Sequence, residues 1–314
     1  MKRLWWSLVC VLALGVTSAC DGGDTNADSG PPDSGPEAAP VVTVDDGTGE
    51  QVPADFDCAP PSEPAGSGDS TFTVRAVDFQ DNFAVEGLTV HFFPDNTPTL
   101  DGTCTGTCQI VTTDAAGEAT VTDTAGSWYA YRVLAGSGIN VASGSPADFI
   151  AAVQVNEEAP ESGGSATLNV VRESSRDTII ALLGTSTEEG TAVITGQAAD
   201  CMARQVANAT LRVFDSAGEI ETGFTSSGPR EFYFNGMSFP AGRQRRTNTD
   251  GLYGTANLPL PSDNTFRVEL WGAKTEGAAP VMLGCESVQA GADGITIVNL
   301  GPTRADGPSG CSGS

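Results

Sequence analysis

The 314-residue sequence predicts an all-β protein, two tandem β-sandwich domains reached through a disordered tether. Three observations predict it. Apolar and polar residues alternate at period two in short runs, glycine (38 residues) and proline (19) punctuate those runs, and leucine-rich helical periodicity is almost absent.

Residues 1–19 read as an export signal. Lys2 and Arg3 precede an apolar run from Leu4 to Val16, which is shorter than the roughly 20 residues that a permanent spanning helix needs. The run ends in Thr17-Ser18-Ala19-Cys20, small residues directly before a cysteine. This ending resembles the lipobox of bacterial lipoproteins. The resemblance implies cleavage before Cys20, lipid (palmitate among its chains) on its sulfur, and residence in the cell envelope. The anchoring membrane is left open: outer membrane, cell surface or periplasmic face of the inner membrane. Asp21, after Cys20, resembles an inner-membrane retention signal in some lineages.

Residues 20–70 read as the tether. Asp, Gly, Ser, Pro, Ala and Thr dominate, and no Lys or Arg occurs from Asp21 to Val74. Such a segment buries too little apolar surface to offset its ordering entropy, and like charges with proline keep it extended. The Asp21-Gly-Gly-Asp run lacks the spacing and closing Glu of a calcium loop. Val41 to Val44 is a candidate short strand, and Cys58 is expected to pin the tether to the first domain.

The first sandwich is expected over 71–171. Its strand candidates are Phe72–Val77, Leu88–Phe93, Gln109–Thr113, Ala119–Thr122, Trp128–Leu134, Phe149–Val155 and Ala166–Val171. Leu88, Val90 and Phe92 alternate with Thr89, His91 and Phe93, which puts His91 on the wet face. A linker, 172–189, carries a short helix: Ser175 can cap its start, Asp177 suits its first turn, Gly184 suits its stop, and Ile179, Leu182 and Leu183 would pack on a sheet. The second sandwich is expected over 190–301, with Arg245–Asn248 among its strand candidates and Phe266, Val268 and Leu270 on a dry face. Residues 302–314 form a polar, glycine-rich tail.

The two domains echo each other. Val85-Glu-Gly-Leu-Thr-Val-His-Phe parallels Val206-Ala-Asn-Ala-Thr-Leu-Arg-Val-Phe, and Thr112-Thr-Asp-Ala-Ala-Gly-Glu-Ala-Thr-Val parallels Thr247-Asn-Thr-Asp-Gly-Leu-Tyr-Gly-Thr-Ala. Asp114 and Asp250 can bond the backbone ahead of them, while Gly117 and Gly251 can take positive φ. This order resembles carboxypeptidase regulatory-like domains, which are transthyretin-like sandwiches, and also bacterial Ig-like adhesin domains. Either resemblance implies a sandwich of about seven strands with no universal catalytic residue. The iron dioxygenases that share transthyretin-like architecture use two Tyr and two His, and this chain has one histidine, His91.

Formal net charge is −25. Removal of residues 1–19 would deepen it, since they carry two cations and no acid. That charge argues against nucleic acid, whose phosphates need Lys and Arg. It suits solubility outside the cell. One histidine excludes two-histidine metal sites, and no nucleophile elbow or phosphate loop occurs. No catalytic residue, metal or cofactor is therefore assigned, and the expected role is non-catalytic: binding a protein or glycan partner, or spacing one from the membrane.

Beyond Cys10 and Cys20, six cysteines remain: Cys58, Cys104, Cys108, Cys201, Cys285 and Cys311. An even number outside the cytosol reads as disulfides. Cys104 and Cys108 are expected to pair locally. A zinc reading of that pair needs two further ligands, for which Cys58 and His91 are available. Cys201 is expected to join Cys285, leaving Cys58 and Cys311 open. The segment from Ser216 to Gly242 reads as an insertion. With the residues after it, it supplies a cationic, aromatic cluster: Phe232, Tyr233, Phe234, Met237 and Phe239, then Arg243, Arg245 and Arg246, beside Arg230. Aromatic faces and guanidinium forks could hold an acidic glycan, which makes a carbohydrate-recognising accessory the alternative role.

Overall fold

Period-two runs must bury one face each, and here they do so against one another. The computed structural model describes residues 39–58, 68–223, 227–236, 239–302 and Cys311. The signal segment, Cys20 and most of the tether lie outside the described residues.

The chain opens with a hairpin, β1 (Thr43–Asp45) and β2 (Gln51–Pro53). The first half then contributes β3 (Asp69–Asp78), β4 (Val85–Glu86), β5 (Thr89–Phe93), β6 (Gln109–Thr112), β7 (Glu118–Thr124) and β8 (Trp128–Val133). It continues with β9 (Gly136–Asn140), β10 (Ser145–Phe149), β11 (Ala152–Glu158) and β12 (Ser165–Val170), and ends at helix α1 (Glu173–Leu182). The second half holds β13 (Thr191–Gln197), β14 (Val206–Ala207), β15 (Thr210–Asp215), β16 (Gly218–Glu219) and β17 (Arg230–Asn235). It closes with β18 (Phe239–Ala241), β19 (Leu252–Pro259), β20 (Thr265–Gly272), β21 (Val281–Gln289) and β22 (Ile295–Ile297).

One nine-stranded sheet runs through both halves, in the order β18-β17-β19-β13-β22-β11-β8-β5-β6. Its seam is β22, which pairs in parallel with β11 of the first half and with β13 of the second. The other sheets among the described residues run β12-β3-β7 and β10-β9-β4 in the first half, β16-β15-β20-β21 in the second, and β14-β1-β2, which joins the N-terminal hairpin to the second half. Phe72, Phe92, Tyr129 and Tyr131 anchor the first core, and Tyr233, Tyr253, Phe266 and Leu270 anchor the second. A third cluster, with Phe232, Phe234 and Ile297, packs under α1 and Val171.

The echo in sequence becomes one motif used twice. Asp114 Oδ1 accepts the N–H groups of Ala116 and Glu118, and Asp250 Oδ1 accepts that of Leu252. Gly117 and Gly251 hold φ of +74° and +64°, where a side chain would be strained. A Cβ on either would also crowd the strand opposite, at Val85 N in the first half and Val206 N in the second.

Four expectations need correction. First, the tether is not solvated throughout: Val42, Val44 and Phe56 lie in the second core, and β1 pairs with β14. Cys58 accordingly joins Cys201 of the second half, not a residue of the first domain. Second, Cys201 does not pair with Cys285. Cys285 pairs with Cys311, which ties that residue to β21. The hairpin carries Cys58 to Cys201, and β21 places Cys285 elsewhere. Third, α1 starts at Glu173, with Arg172 extended at its N-cap, so Ser175 sits inside the helix and donates to Gln80 Oε1 at 2.5 Å. The buried stripe is then Ile180 and Leu183, while Leu182 stands 59% exposed. Gly184, φ +73°, does end the helix: its N–H bonds Ala181 O, and that of Thr185 bonds Ile180 O. Fourth, residues 245–248 form no strand.

Candidate functional site

Two places gather chemistry-bearing side chains. The first is an open cleft of about 420 Å³ lined by Ala207, Asn208 and residues 243–248. Gln244 shapes the loop by donating to Phe234 O at 2.9 Å and to Arg246 O at 2.7 Å. Thr247, buried beneath it, exchanges backbone bonds with Asn208 and Ala209. Arg243 and Arg245 are exposed and Arg246 is half-buried. The structure thus brings together the three arginines that the sequence singled out. It does not bring the aromatics to them. Tyr233 is 0% exposed and Phe234 3%, because alternate residues of β17 serve the cores on the two faces of its sheet. Arg230 is buried as well. Met237 lies outside the described residues. The cleft is lined by guanidinium, amide and hydroxyl groups, with no carboxylate among its lining residues. It can hold an anion by charge and fork geometry, but it has no aromatic platform.

Beside the cleft, the Tyr233 hydroxyl donates to Glu231 and accepts the Leu211 N–H at 2.9 Å. Burial pushes the Glu231 carboxyl up to about 7, against the opposing Thr222 hydroxyl bond and the Arg245 charge.

The second place is His91 with Cys104 and Cys108. The two sulfurs are bonded, with Cα atoms 5.4 Å apart. One ligand atom from each of the three residues lies within 4.8 Å of the other two. His91 was expected on a wet face, yet it is only 3% exposed. The loop between β5 and β6 folds back over that face and covers it. Arg132, opposite His91 on β8, ties this loop down by donating to Thr99 O at 2.9 Å. His91 Nδ1 is buried and makes no hydrogen bond. Desolvation, with a smaller push from the Arg132 charge, holds the imidazole below its usual range, so it is neutral at pH 7. Cys58, weighed with His91 as a zinc ligand, is bonded to Cys201 instead. Periodicity placed His91 on the correct face of β5. It carried no signal that a loop would return over that face.

Sequence reasoning also passed over Phe79 and Phe83, which stand 42% and 47% exposed on the turn between β3 and β4. Among the described residues no helix is long and apolar enough to cross a membrane.

No protein-family model matches the chain, and no curated protein sequence does. Solved structures do share features with it. The Bacillus anthracis TIE protein is 12% identical over 74% of this chain, with a TM-score of 0.23, and the match spans 33% of that chain. The shaft pilin SpaA from Lactobacillus rhamnosus GG is 10% identical, covering 75% of this chain and 98% of the pilin at a TM-score of 0.21. GBS52, a minor pilin of Streptococcus agalactiae, is 11% identical, covering 76% and 98% at 0.21. At such identities and superpositions, function has to be argued from this chain's own residues.

Proposed function

We propose that this is a lipid-anchored cell-envelope protein whose paired sandwiches act without catalysis, binding a partner or spacing one from the membrane. The observation that carries the reading is the nine-stranded sheet. With β22 hydrogen-bonded on both sides, the two halves share one backbone ladder rather than a flexible hinge. A stiff body on a tether is what presentation at a surface requires. The three disulfides among the described residues suit an oxidising compartment, and the Thr17-Ser18-Ala19-Cys20 ending supplies the anchor. The sandwiches keep their resemblance to carboxypeptidase regulatory-like or bacterial Ig-like modules.

The test is detergent partitioning with labelled palmitate. The parent should enter the detergent phase and carry label, and Cys20→Ser should do neither. Equal partitioning and labelling of both would remove the anchor from the reading.

A second reading rests on the arginine cleft, which suits an acidic glycan or another carboxylate-bearing ligand. Arg243, Arg245 and Arg246 changed together to Ala should abolish binding to acidic glycans on an array. Unchanged binding would clear the cleft of that role.

A further inference from the structure

We propose that Cys104, Cys108 and His91 form a reduction-gated site for a thiophilic divalent cation such as Zn²⁺, closed while the disulfide is intact and open once it is reduced. Three independent features meet here. The ligand atoms are already gathered within 4.8 Å. A tetrahedral zinc with two sulfurs and one nitrogen spaces its ligands by about 3.5 Å, so the sulfurs need only part locally. The Cα atoms of the two cysteines sit 5.4 Å apart on one short loop. Finally, His91 keeps a buried ring nitrogen with no hydrogen-bond partner, and buried polar atoms rarely stay unsatisfied without a reason.

The chemistry balances with a dithiol as reductant. It gives two electrons and two protons to the Cys104–Cys108 bond, leaves two thiols and becomes a disulfide itself. The cation then displaces both thiol protons to solvent and takes a lone pair from one His91 nitrogen. Water completes the fourth position, as in zinc sites with three protein ligands. Two thiolates cancel the charge of a divalent ion, so Arg132 across the strand faces a neutral cluster. A disulfide-bearing oxidant reverses the step: it takes the two electrons from the Cys104 and Cys108 thiolates and two protons from solvent, becomes a dithiol, and the rebuilt Cys104–Cys108 bond releases the ion.

The experiment uses the full chain in detergent, reduced with dithiothreitol without oxygen, and titrated with Zn²⁺ against a chromophoric chelator. Reduced parent should bind one equivalent more than reduced Cys104→Ser/Cys108→Ser, which controls for the other cysteines. Oxidised parent should lack that equivalent, and His91→Gln should bind it at least tenfold more weakly. Zn²⁺ should shield Cys104 and Cys108 from alkylation, as read by peptide mass. Equal binding by the double variant, or unchanged affinity in His91→Gln, overturns the proposal. If His91→Gln loses its fold by circular dichroism, the alkylation map of the parent decides: unshielded Cys104 and Cys108 would end it.

Discussion

Thr113 and Thr247 make the same bonds in the two halves of the molecule. The Thr113 hydroxyl accepts the Leu88 N–H at 3.0 Å, and the Thr247 hydroxyl accepts the Ala209 N–H at 2.9 Å. The backbone of each also pairs with the same strand, Gly87 and Leu88 in one half, Asn208 and Ala209 in the other. Both side chains are 3% exposed. Changing either to Val leaves a buried N–H without its acceptor, at a cost of about 1–3 kcal/mol. Thr112→Val, on the exposed side of the same strand, should stay within roughly 0.5 kcal/mol of the parent. Urea midpoints of the three variants check this, and an equal loss at Thr112 would refute the hydrogen-bond account.

Arg172 reaches back from the start of α1 to the end of β3. It pairs with Asp78, whose side chain is fully buried, and with Asp81 at 2.6 Å. Burial pushes the Asp78 carboxyl up, opposed by the Gln80 N–H and by Arg172. Arg172→Met strands that charge and should cost about 3 kcal/mol near neutral pH. The loss should shrink as pH falls, because a protonated Asp78 no longer needs the guanidinium. Asp78→Asn combined with Arg172→Met should recover part of the stability. Thermal denaturation at pH 5 and pH 8 distinguishes these cases, and a loss independent of pH would point to lost packing instead.

Glu231 makes stability depend on pH. An ordinary glutamate titrates near 4.5, whereas this one is pushed up to about 7. Between those values the folded chain keeps a proton that the unfolded chain has released. Stability therefore falls as pH rises through that window and levels off above it. Glu157, also raised by burial, acts in the same direction. Glu231→Gln should flatten the slope between pH 5 and 7. Denaturant midpoints across that range measure it, and identical slopes for variant and parent would exclude Glu231 as the source.

The disulfides should differ in weight. Cys58–Cys201 closes a loop of 143 residues and Cys104–Cys108 one of 4. On chain-entropy grounds their loss costs about 5 and about 2 kcal/mol respectively. Only the first bond holds the N-terminal hairpin on the second core. Cys58→Ser/Cys201→Ser should therefore speed hydrogen exchange in 42–53, whereas Cys104→Ser/Cys108→Ser should leave that segment protected. Matching exchange in the two variants would mean that β1 and its neighbours hold the hairpin unaided.

Much of this architecture was legible along the chain. β20 buries Phe266, Val268 and Leu270 as its alternation says, and the Asp-to-Gly turns at 114–117 and 250–251 form with the expected hydrogen bonds and positive φ, whereas β5 is buried on both faces. These signals are local, a two-residue period and a one-residue conformational demand. The β9–β10 hairpin went unread because Gly136-Ser-Gly-Ile-Asn carries too little apolar contrast. Residues 39–58 looked like tether because they are acidic, lack Lys and Arg and are broken by Gly and Pro, yet Val42, Val44 and Phe56 dock them in the second core.

At the candidate sites, the arginines of 243–246 were visible as a charge cluster, but burial of Tyr233 and Phe234 depended on which faces of β17 are covered. By itself the sequence determined most of the longer strands, the turn chemistry and the Cys104–Cys108 neighbourhood, all set by residues a few positions apart. Only the tertiary structure decided that β22 joins the halves, that Cys58 meets Cys201, and that His91 lies sealed beside two sulfurs. Those outcomes depend on surfaces brought together from distant parts of the chain, and no local pattern encodes which distant surface arrives.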